Sequence, residues 1–310
     1  MGVKVGMNLT KIDYLTFRSQ AQPLECLEAC RDVFGESGAL LSGKHNQRGW
    51  NGFEQSQKLC VGDMPVGFIA YGGEPMRGWV RVEITGNGCG WVDDWDTSEQ
   101  TFSELTSFEK RRVDICLDTH KREVTHESVL TAYRAGLFTT CGSPPSMTKI
   151  EPEGAEEGKT IYVGKRNQPK FFRGYEKGYQ IAQKYPGIDL THIDGNPIGD
   201  MYRLEVELKA KNAPLPDDLI LNRDQYFAGA YPYLQNVLKV EPEMFKMSRE
   251  ESPKMALKAR LAMIQNQYGP TLFTALAAHG GDIGAVWAQI CGTEHSKTLL
   301  EEGVLLVQHD

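Results

Sequence analysis

The 310-residue sequence contains no apolar run approaching the roughly 18 to 20 residues that are needed to span a bilayer. Its N-terminus also lacks the charged start, hydrophobic centre and cleavage site of a secretion signal. With 40% hydrophobic residues, the chain is long enough to bury the core of one large domain or two smaller ones. We therefore expect a soluble protein that stays in the cytoplasm and has no membrane partner.

Local metal-binding and disulfide motifs are also missing. The seven cysteines are an odd number, and none of them forms a Cys-x-x-Cys pair. The seven histidines do not cluster at ligand spacing. Reduced thiols are the simplest expectation, and any metal would be held mainly by oxygen ligands.

The net charge of −7 argues against nonspecific attraction of the whole surface to nucleic acid, which usually requires a basic domain. The distribution of charge is uneven, however. Acidic residues collect between positions 93 and 109 and between 151 and 157, whereas positions 165 to 177 hold five cations and one anion. The five cations are Lys165, Arg166, Lys170, Arg173 and Lys177. This segment predicts a local phosphate-binding surface on an acidic protein.

Hydrophobic periodicity predicts mainly strands, with two helices, in the first two thirds of the chain and only helices at the end. Strands are expected at 12–17, 66–71, 79–85, 112–118, 160–164, 171–177 and 202–209, with the last half-buried and its charged face in solvent. Helices are expected at 23–34, 125–135, 223–238, 253–267, 270–278 and 284–291. Glycines at 86 and 88 predict a turn, and residues 143–158 predict a loop.

This order favours the α+β class, with a central antiparallel sheet, helices packed on one face of it and a mainly helical C-terminal part. We expect a first domain over 1–244 and a helical region over 245–310.

The most informative segment contains Tyr175. Read as a strand, it places Arg173, Tyr175 and Lys177 on one face. A tyrosine hydroxyl has a pKa of about 10, so nucleophilic chemistry at neutral pH needs nearby positive charge, a metal or a base. The two cations supply part of that requirement. The alternative is an ordinary strand with a solvated basic face.

Two other predicted strands carry acids on one face. Asp114 and Asp118 lie on one of them, and Glu205 and Glu207 follow Arg203 on the other. If these strands are neighbours of the tyrosine strand, their carboxylates can hold Mg²⁺ or Mn²⁺ close to Tyr175. An exposed strand edge and a salt-bridged solvent face are the alternatives.

Such a group suits cleavage of a phosphodiester by tyrosine. The metal polarises the phosphate, the cations offset charge on its oxygens, and the phenolate attacks in line. The product is a phosphotyrosyl enzyme and a DNA end with a free hydroxyl. Because the link retains the bond energy, the same site can later rejoin strands.

Several segments together resemble the motifs of trans-acting rolling-circle replication initiators, a family that includes plasmid initiators, filamentous-phage replication proteins and relaxases of some integrative elements. The resemblance extends from about residue 10 to 240. The segments that carry it lie at 12–17, 86–89, 112–118, 162–166, 173–177 and 203–205.

The resemblance implies a Rep-type nicking fold with Tyr175 as the nucleophile, assisted by Arg173 and Lys177. Asp114, Asp118 and Glu205 correspond to the acidic positions near the metal. The residues implied to meet DNA phosphates are Lys165, Arg166, Lys170 and Arg203, the last also orienting Glu205. The implied partners are origin DNA, single-stranded or supercoiled, together with a host helicase and polymerase and a second copy of the chain.

The implied function is a metal-dependent endonuclease and strand transferase that starts rolling-circle replication of a phage or plasmid, with a phage as first choice. A relaxase for conjugative transfer of an integrative element, and a noncatalytic DNA-binding regulator on the same fold, are the alternatives. The chain departs from the family at Gly174, where members usually carry a bulky apolar residue. It also departs in a long insertion between Tyr175 and Glu205.

Overall fold

A computed structural model describes residues 8–46, 48–153, 157–184, 191–193, 195–211, 213–243 and 253–296, together with residues 300 and 305. The chain divides into a first unit of residues 1–248 and a second of residues 249–310. The expected boundary at 244/245 lies outside the described residues, as do Pro186 and Gly187 of the predicted insertion.

The first unit is built around one large antiparallel sheet, which confirms the expected fold class. Its strands are β1 (Lys11–Ser19), β2 (Leu41–Asn46), β3 (Gln55–Val61), β4 (Met64–Tyr71), β5 (Val80–Ile84), β6 (Glu109–Thr119), β7 (Met147–Ile150), β8 (Thr160–Val163), β9 (Lys170–Glu176) and β12 (Tyr202–Lys209). Within the described residues, their order in the sheet is β2-β3-β4-β5-β1-β6-β12-β9-β8-β7. A separate short hairpin pairs β10 (His192–Ile193) with β11 (Asn196–Pro197).

Helices of the first unit, with the exception of the fifth, supply apolar side chains to a core on one face of the sheet. They are α1 (Pro23–Val33), α2 (Gly86–Cys89), α3 (Trp95–Ser103), α4 (His126–Arg134), α5 (Lys177–Ala182), α6 (Arg223–Ala230) and α7 (Pro232–Leu238). The start of α4 follows from its sequence, because the Thr125 side chain accepts a hydrogen bond from the Ser128 backbone N–H.

Alternation along the strands separates an apolar face from a polar one. On β12, Leu204, Val206 and Leu208 are fully buried in the core. The intervening Glu205 and Glu207 are only 5% and 3% exposed on the opposite face. The expectation of a half-buried strand with a solvated charged face is therefore wrong, because the two carboxylates on the polar face are buried as well. We call the side of the sheet opposite the core the open face.

The predicted helices, turns and loops differ from the observed elements mainly at prolines and in loops. The helix expected over 223–238 is two helices, because the chain leaves helical geometry at Tyr231 and restarts at Pro232. The predicted turn at 86–88 is the short helix α2, and the predicted loop over 143–158 contains the edge strand β7, which pairs with β8.

The second unit contains α8 (Pro253–Ala278) and α9 (Ile283–Ile290). The sequence predicts two helices separated near Gly269, but α8 continues through Pro270. Proline removes one backbone donor, and the remaining turns on each side are long enough to keep the helix intact. Among the described residues, no helix is sufficiently long and apolar to cross a membrane.

Candidate active site

Tyr175 lies near the end of β9, between two neighbouring strands. It is directly opposite Arg203 of β12 and Thr160 of β8. The residue is 5% exposed, but it lines a cavity of about 240 Å³ on the open face. Arg173, Tyr162 and Gln180 also line this cavity, which is large enough for a base or phosphate group and too small for a duplex.

The two predicted cations do flank the Tyr175 ring. The Arg173 guanidinium lies 4.6 Å from the ring centre and the Lys177 ammonium lies 5.6 Å from it. Lys177 does not continue the strand, however, since β9 ends at Glu176 and Lys177 begins α5. Both predicted cations therefore lie beside the Tyr175 ring. Alternation along β9 places Arg173 there, whereas the junction between β9 and α5 places Lys177.

Burial is the main influence on the pKa values of Tyr175 and Lys177. It raises the pKa of the Tyr175 hydroxyl well above its ordinary value, and the opposing charges of Arg203 and Arg173 do not reverse the shift. Burial, followed by the charge of Arg203, lowers the pKa of Lys177 to about 8. The expectation that two cations favour the phenolate is thus incomplete, because burial outweighs them and favours the protonated phenol.

The three predicted metal ligands each face an arginine. Glu205 accepts a hydrogen bond from Arg173 at 2.6 Å. Asp118 accepts two from Arg203, at 2.5 and 2.7 Å. Asp114 accepts two from Arg112, at 2.8 and 2.6 Å. The suggestion that Arg203 orients Glu205 does not hold, since its partners are Asp118 and, at 2.6 Å, Asp13.

This arrangement does not fit a single shared metal ion. Asp114 and Asp118 are four residues apart on β6, so their Cα atoms are separated by about 13 Å along the strand. Within the described residues, no three Asp, Glu, His or Cys side chains converge on one point at ligand distance. Burial raises the pKa of Asp114 to about 7 despite its bonds with Arg112. The carboxylates therefore fit guanidinium partners and do not fit a shared metal ion.

The predicted phosphate-binding cations do not form one surface. Lys165 and Arg166 are exposed in the β8–β9 turn, and the Arg166 guanidinium lies 5.5 Å from the Phe171 ring centre. Lys170 lies opposite Leu208 on the core side, with its ammonium over the Tyr231 ring. It therefore points away from Tyr175. Arg203 is 8% exposed and committed to its two aspartates.

The packing around Gly174 explains why this chain has glycine where family members usually carry a bulky apolar residue. Gly174 faces the core side of β9, opposite Leu204. A Cβ atom here would lie 2.9 Å from the Tyr202 hydroxyl oxygen and 3.2 Å from the Phe172 ring. Aromatic side chains of neighbouring positions fill the space that a larger residue would occupy, and the strand pairing remains regular through this position.

Sequence reasoning missed three participants. Asp13 was included in a predicted strand but not as a partner of Arg203, and Arg112 was not identified as the partner of Asp114. Gln180 of α5 lines the cavity and accepts a hydrogen bond from Lys177 at 2.7 Å. Arg112 is two residues from Asp114 in a predicted strand, and side chains two residues apart lie on the same face of a strand. This spacing could have identified Arg112 as the partner of Asp114.

Comparison with known proteins places the chain in a family. A sequence model described as replication initiation factor matches residues 109–289, more than half of the chain. The putative DNA relaxase NicK of Bacillus subtilis (strain 168) is 23% identical over 188 residues, which are 55% of this chain and 49% of that protein. The chain thus spans about half the length of this curated relative.

A solved structure is similar in fold. The rolling circle replication initiator protein from Geobacillus stearothermophilus superposes with a TM-score of 0.54 at 18% identity, covering 77% of this chain and 99% of that one. At this identity, the likeness concerns the fold alone. The family match, which covers β6, β9, β12 and Tyr175, shows that the chain belongs to the replication initiation factor family.

Proposed function

We propose that this protein cuts one DNA strand by attack of Tyr175 on a phosphodiester. The Tyr175 oxygen forms a bond to phosphorus, and the bond from phosphorus to the 3′ oxygen breaks. The departing oxygen takes up a proton. The products are a 5′-phosphotyrosyl protein and a free 3′ hydroxyl, which a host polymerase then extends.

One observation carries this proposal: Tyr175 and Arg173 line the same open-face cavity. The Arg173 Nε atom is buried and has no hydrogen-bond partner among the described residues, while the Nη2 atom binds Glu205. A guanidinium with an unused donor beside a nucleophile is suited to a phosphate oxygen, on which negative charge grows during the attack.

Lys177 is the base that we assign to the Tyr175 proton. Its lowered pKa of about 8 leaves a useful fraction of neutral amine near neutral pH. Arg173 cannot take this role, because a guanidinium stays protonated. Arg203 acts through its neighbours: it is directly opposite Tyr175 and fixes Asp13 and Asp118 around it.

The pH dependence of cutting tests Lys177. A neutral amine accepts the proton, so the rate should rise about tenfold per pH unit below about pH 8 and level off above it. Lys177→Arg keeps the charge but cannot act as a base, and we expect a loss of about 10² to 10⁴-fold in rate at pH 8. A wild-type rate that is flat between pH 6 and 9, or an active Lys177→Arg protein, would exclude this role.

The DNA that the protein acts on is proposed as the origin of the phage or plasmid that encodes it, where the cut starts rolling-circle replication. Similarity to a putative DNA relaxase supports a second candidate, transfer of an integrative element by the same chemistry. A noncatalytic regulator would have no need of a tyrosine in one cavity with an arginine whose Nε donor is unused within the described residues.

The experiment is incubation of the full chain with supercoiled DNA of the replicon that encodes it, followed by denaturing electrophoresis. We expect relaxed circles that carry covalently bound protein. No adduct on either supercoiled or single-stranded DNA would refute the proposal.

The requirement for Mg²⁺ or Mn²⁺ remains a prediction with its own test. The same assay is repeated with each cation and with EDTA, using Asp114→Ala and Glu205→Ala beside the wild type. A metal requirement predicts that EDTA and both substitutions stop cutting while salt-sensitive DNA binding persists. Undiminished cutting in EDTA would show that these carboxylates serve only their arginines.

A further inference from the structure

A group of arginines and tryptophans lies on the open face, away from Tyr175. We call it the arginine–tryptophan surface and define it as Arg18, Trp50, Trp79, Arg81 and Arg111. On β5 the buried Val80 and Val82 face the core, so Arg81 projects from the opposite face. Arg18 of β1 is directly opposite Arg81, and Arg111 belongs to the adjoining strand β6.

Cations and aromatic rings are interleaved on this surface. The Arg18 guanidinium lies 4.0 Å from the Trp79 ring centre. The Arg81 guanidinium lies 5.8 Å from the Trp50 ring centre, and Trp50 in turn contacts Phe68 of β4 with 5.1 Å between ring centres. Both tryptophans remain partly exposed. Guanidinium groups over tryptophan rings are not a typical core arrangement. A guanidinium that is buried without a paired acid destabilises the fold.

Negative charge near these arginines is insufficient to balance them. Arg18 and Arg111 share one partner, Glu109, at 2.7 and 3.7 Å. Arg81 has Glu83 at 3.4 Å, and burial raises the pKa of this glutamate to about 7. Within the described part of the chain, these three arginines therefore share two carboxylate partners, and burial disfavours the charged form of one of them.

Arg81 shows the consequence of this imbalance. Its pKa is lowered by burial and then by repulsion from Arg111 and Arg112. Its Nε atom is buried and has no hydrogen-bond partner within the described part of the chain. A phosphate group placed here would satisfy the donor and relieve the repulsion.

We propose that the arginine–tryptophan surface binds single-stranded DNA, with bases stacked on Trp50 and Trp79 and phosphates bound by Arg18, Arg81 and Arg111. Aromatic faces offer stacking to bases only when these are not already paired in a duplex, while cations follow the backbone without reading its sequence. This inference rests on the proposed function, because its ligand is the strand that Tyr175 cuts.

The position of the surface suits a long single-stranded footprint. Between β5 and β9 lie β1, β6 and β12, and Tyr175 is displaced by several residues along these strands. With strands about 4.8 Å apart and about 3.3 Å per residue, the surface lies roughly 30 Å from Tyr175. At about 3.4 Å per stacked nucleotide, this corresponds to about nine nucleotides. Such a distance lets one strand be held far from the cut while the cavity holds the scissile phosphate.

Binding is tested on the full chain carrying Tyr175→Phe, so that no covalent step intervenes. The probes are a fluorescent oligothymidylate of about 20 nucleotides and a duplex of equal length, and the readout is anisotropy. Adding Trp50→Ala and Trp79→Ala should weaken single-strand binding at least about tenfold, with a smaller effect on the duplex. Arg18→Gln and Arg81→Gln should each reduce the salt slope by about 0.7.

Two controls separate stacking from misfolding. Trp287→Ala removes an exposed tryptophan of α9 and should leave binding unchanged. Trp50→Phe with Trp79→Phe retains aromatic faces and should keep most of the affinity. Unchanged single-strand binding in the alanine protein, or an equal loss on the duplex, would overturn the inference. Because no cutting is measured, this result is independent of whether Tyr175 forms an adduct.

Discussion

Tyr175→Phe should abolish the covalent protein–DNA adduct and reduce strand cutting by at least about 10³-fold. The change removes one oxygen and keeps the ring, so the contacts of that ring with Arg173 and Lys177 persist. Folding and noncovalent DNA binding should therefore match the wild type. The measurement is adduct yield on denaturing gels, beside the thermal midpoint and DNA affinity of each protein.

A matched control is available in the second unit. Tyr268 is 52% exposed on α8, and Tyr268→Phe removes the same oxygen at a position outside the cavity. We expect wild-type adduct yield from this variant. An adduct that survives in Tyr175→Phe, or mapping of the bound phosphate to another tyrosine, would show that Tyr175 is not the nucleophile.

Arg203→Met should lower the free energy of unfolding by about 3 to 5 kcal/mol, because it leaves charges uncompensated in a buried place. Arg203 is 8% exposed and binds both Asp118 and Asp13. Burial alone would raise the pKa of Asp118, but its bonds and charge interaction with Arg203 outweigh burial and lower it. Methionine preserves much of the side-chain volume, so lost packing contributes little. For a unit of this size we expect the thermal midpoint to fall by about 10 °C.

The stability of the wild type and that of Arg203→Met should change in opposite directions as the pH falls. In the wild type, the stabilisation by Asp118 is complete above the ordinary carboxyl pKa of about 3.9 and is lost as the pH falls through the lowered folded value. Without Arg203, burial raises that pKa, and the variant should gain stability as the pH falls towards 4. Asp118→Asn in the Arg203→Met background should recover part of the loss at neutral pH.

An exposed pair supplies the comparison for this substitution. Arg31 and Glu28 form a contact of 2.7 Å with side chains 37% and 52% exposed. Arg31→Met should change the free energy of unfolding by less than about 1 kcal/mol. Equal effects of Arg203→Met and Arg31→Met would show that the buried network contributes no more than a surface ion pair.

Local patterns predicted the strands around the site because each of them carries a strong alternation. β1, β6, β9 and β12 all lie where the sequence placed them, and alternation correctly put Arg173 and Tyr175 on one face. The errors arose where local rules conflict with packing. Pro232 splits a predicted helix, whereas α8 continues through Pro270. The proline signal is the same in both places, and it does not determine whether the flanking turns can sustain the helix.

Side-chain partners were the least predictable part of the site. Lys170 belongs to the basic segment in sequence, yet alternation along β9 directs it to the core side. Asp13 and Arg203 are 190 residues apart and meet because β1 and β12 both pair with β6. No local spacing encodes such a meeting.

The sequence by itself determined the strands, the shared face of Arg173 and Tyr175, and the fold class, because these depend on interactions among near neighbours. Tertiary structure decided the charges. It placed an arginine on each predicted metal ligand, left the Tyr175 phenol protonated, and lowered the pKa of Lys177 to about 8. Burial and distant charge set these protonation states, and both come into existence only when the strands assemble into the sheet.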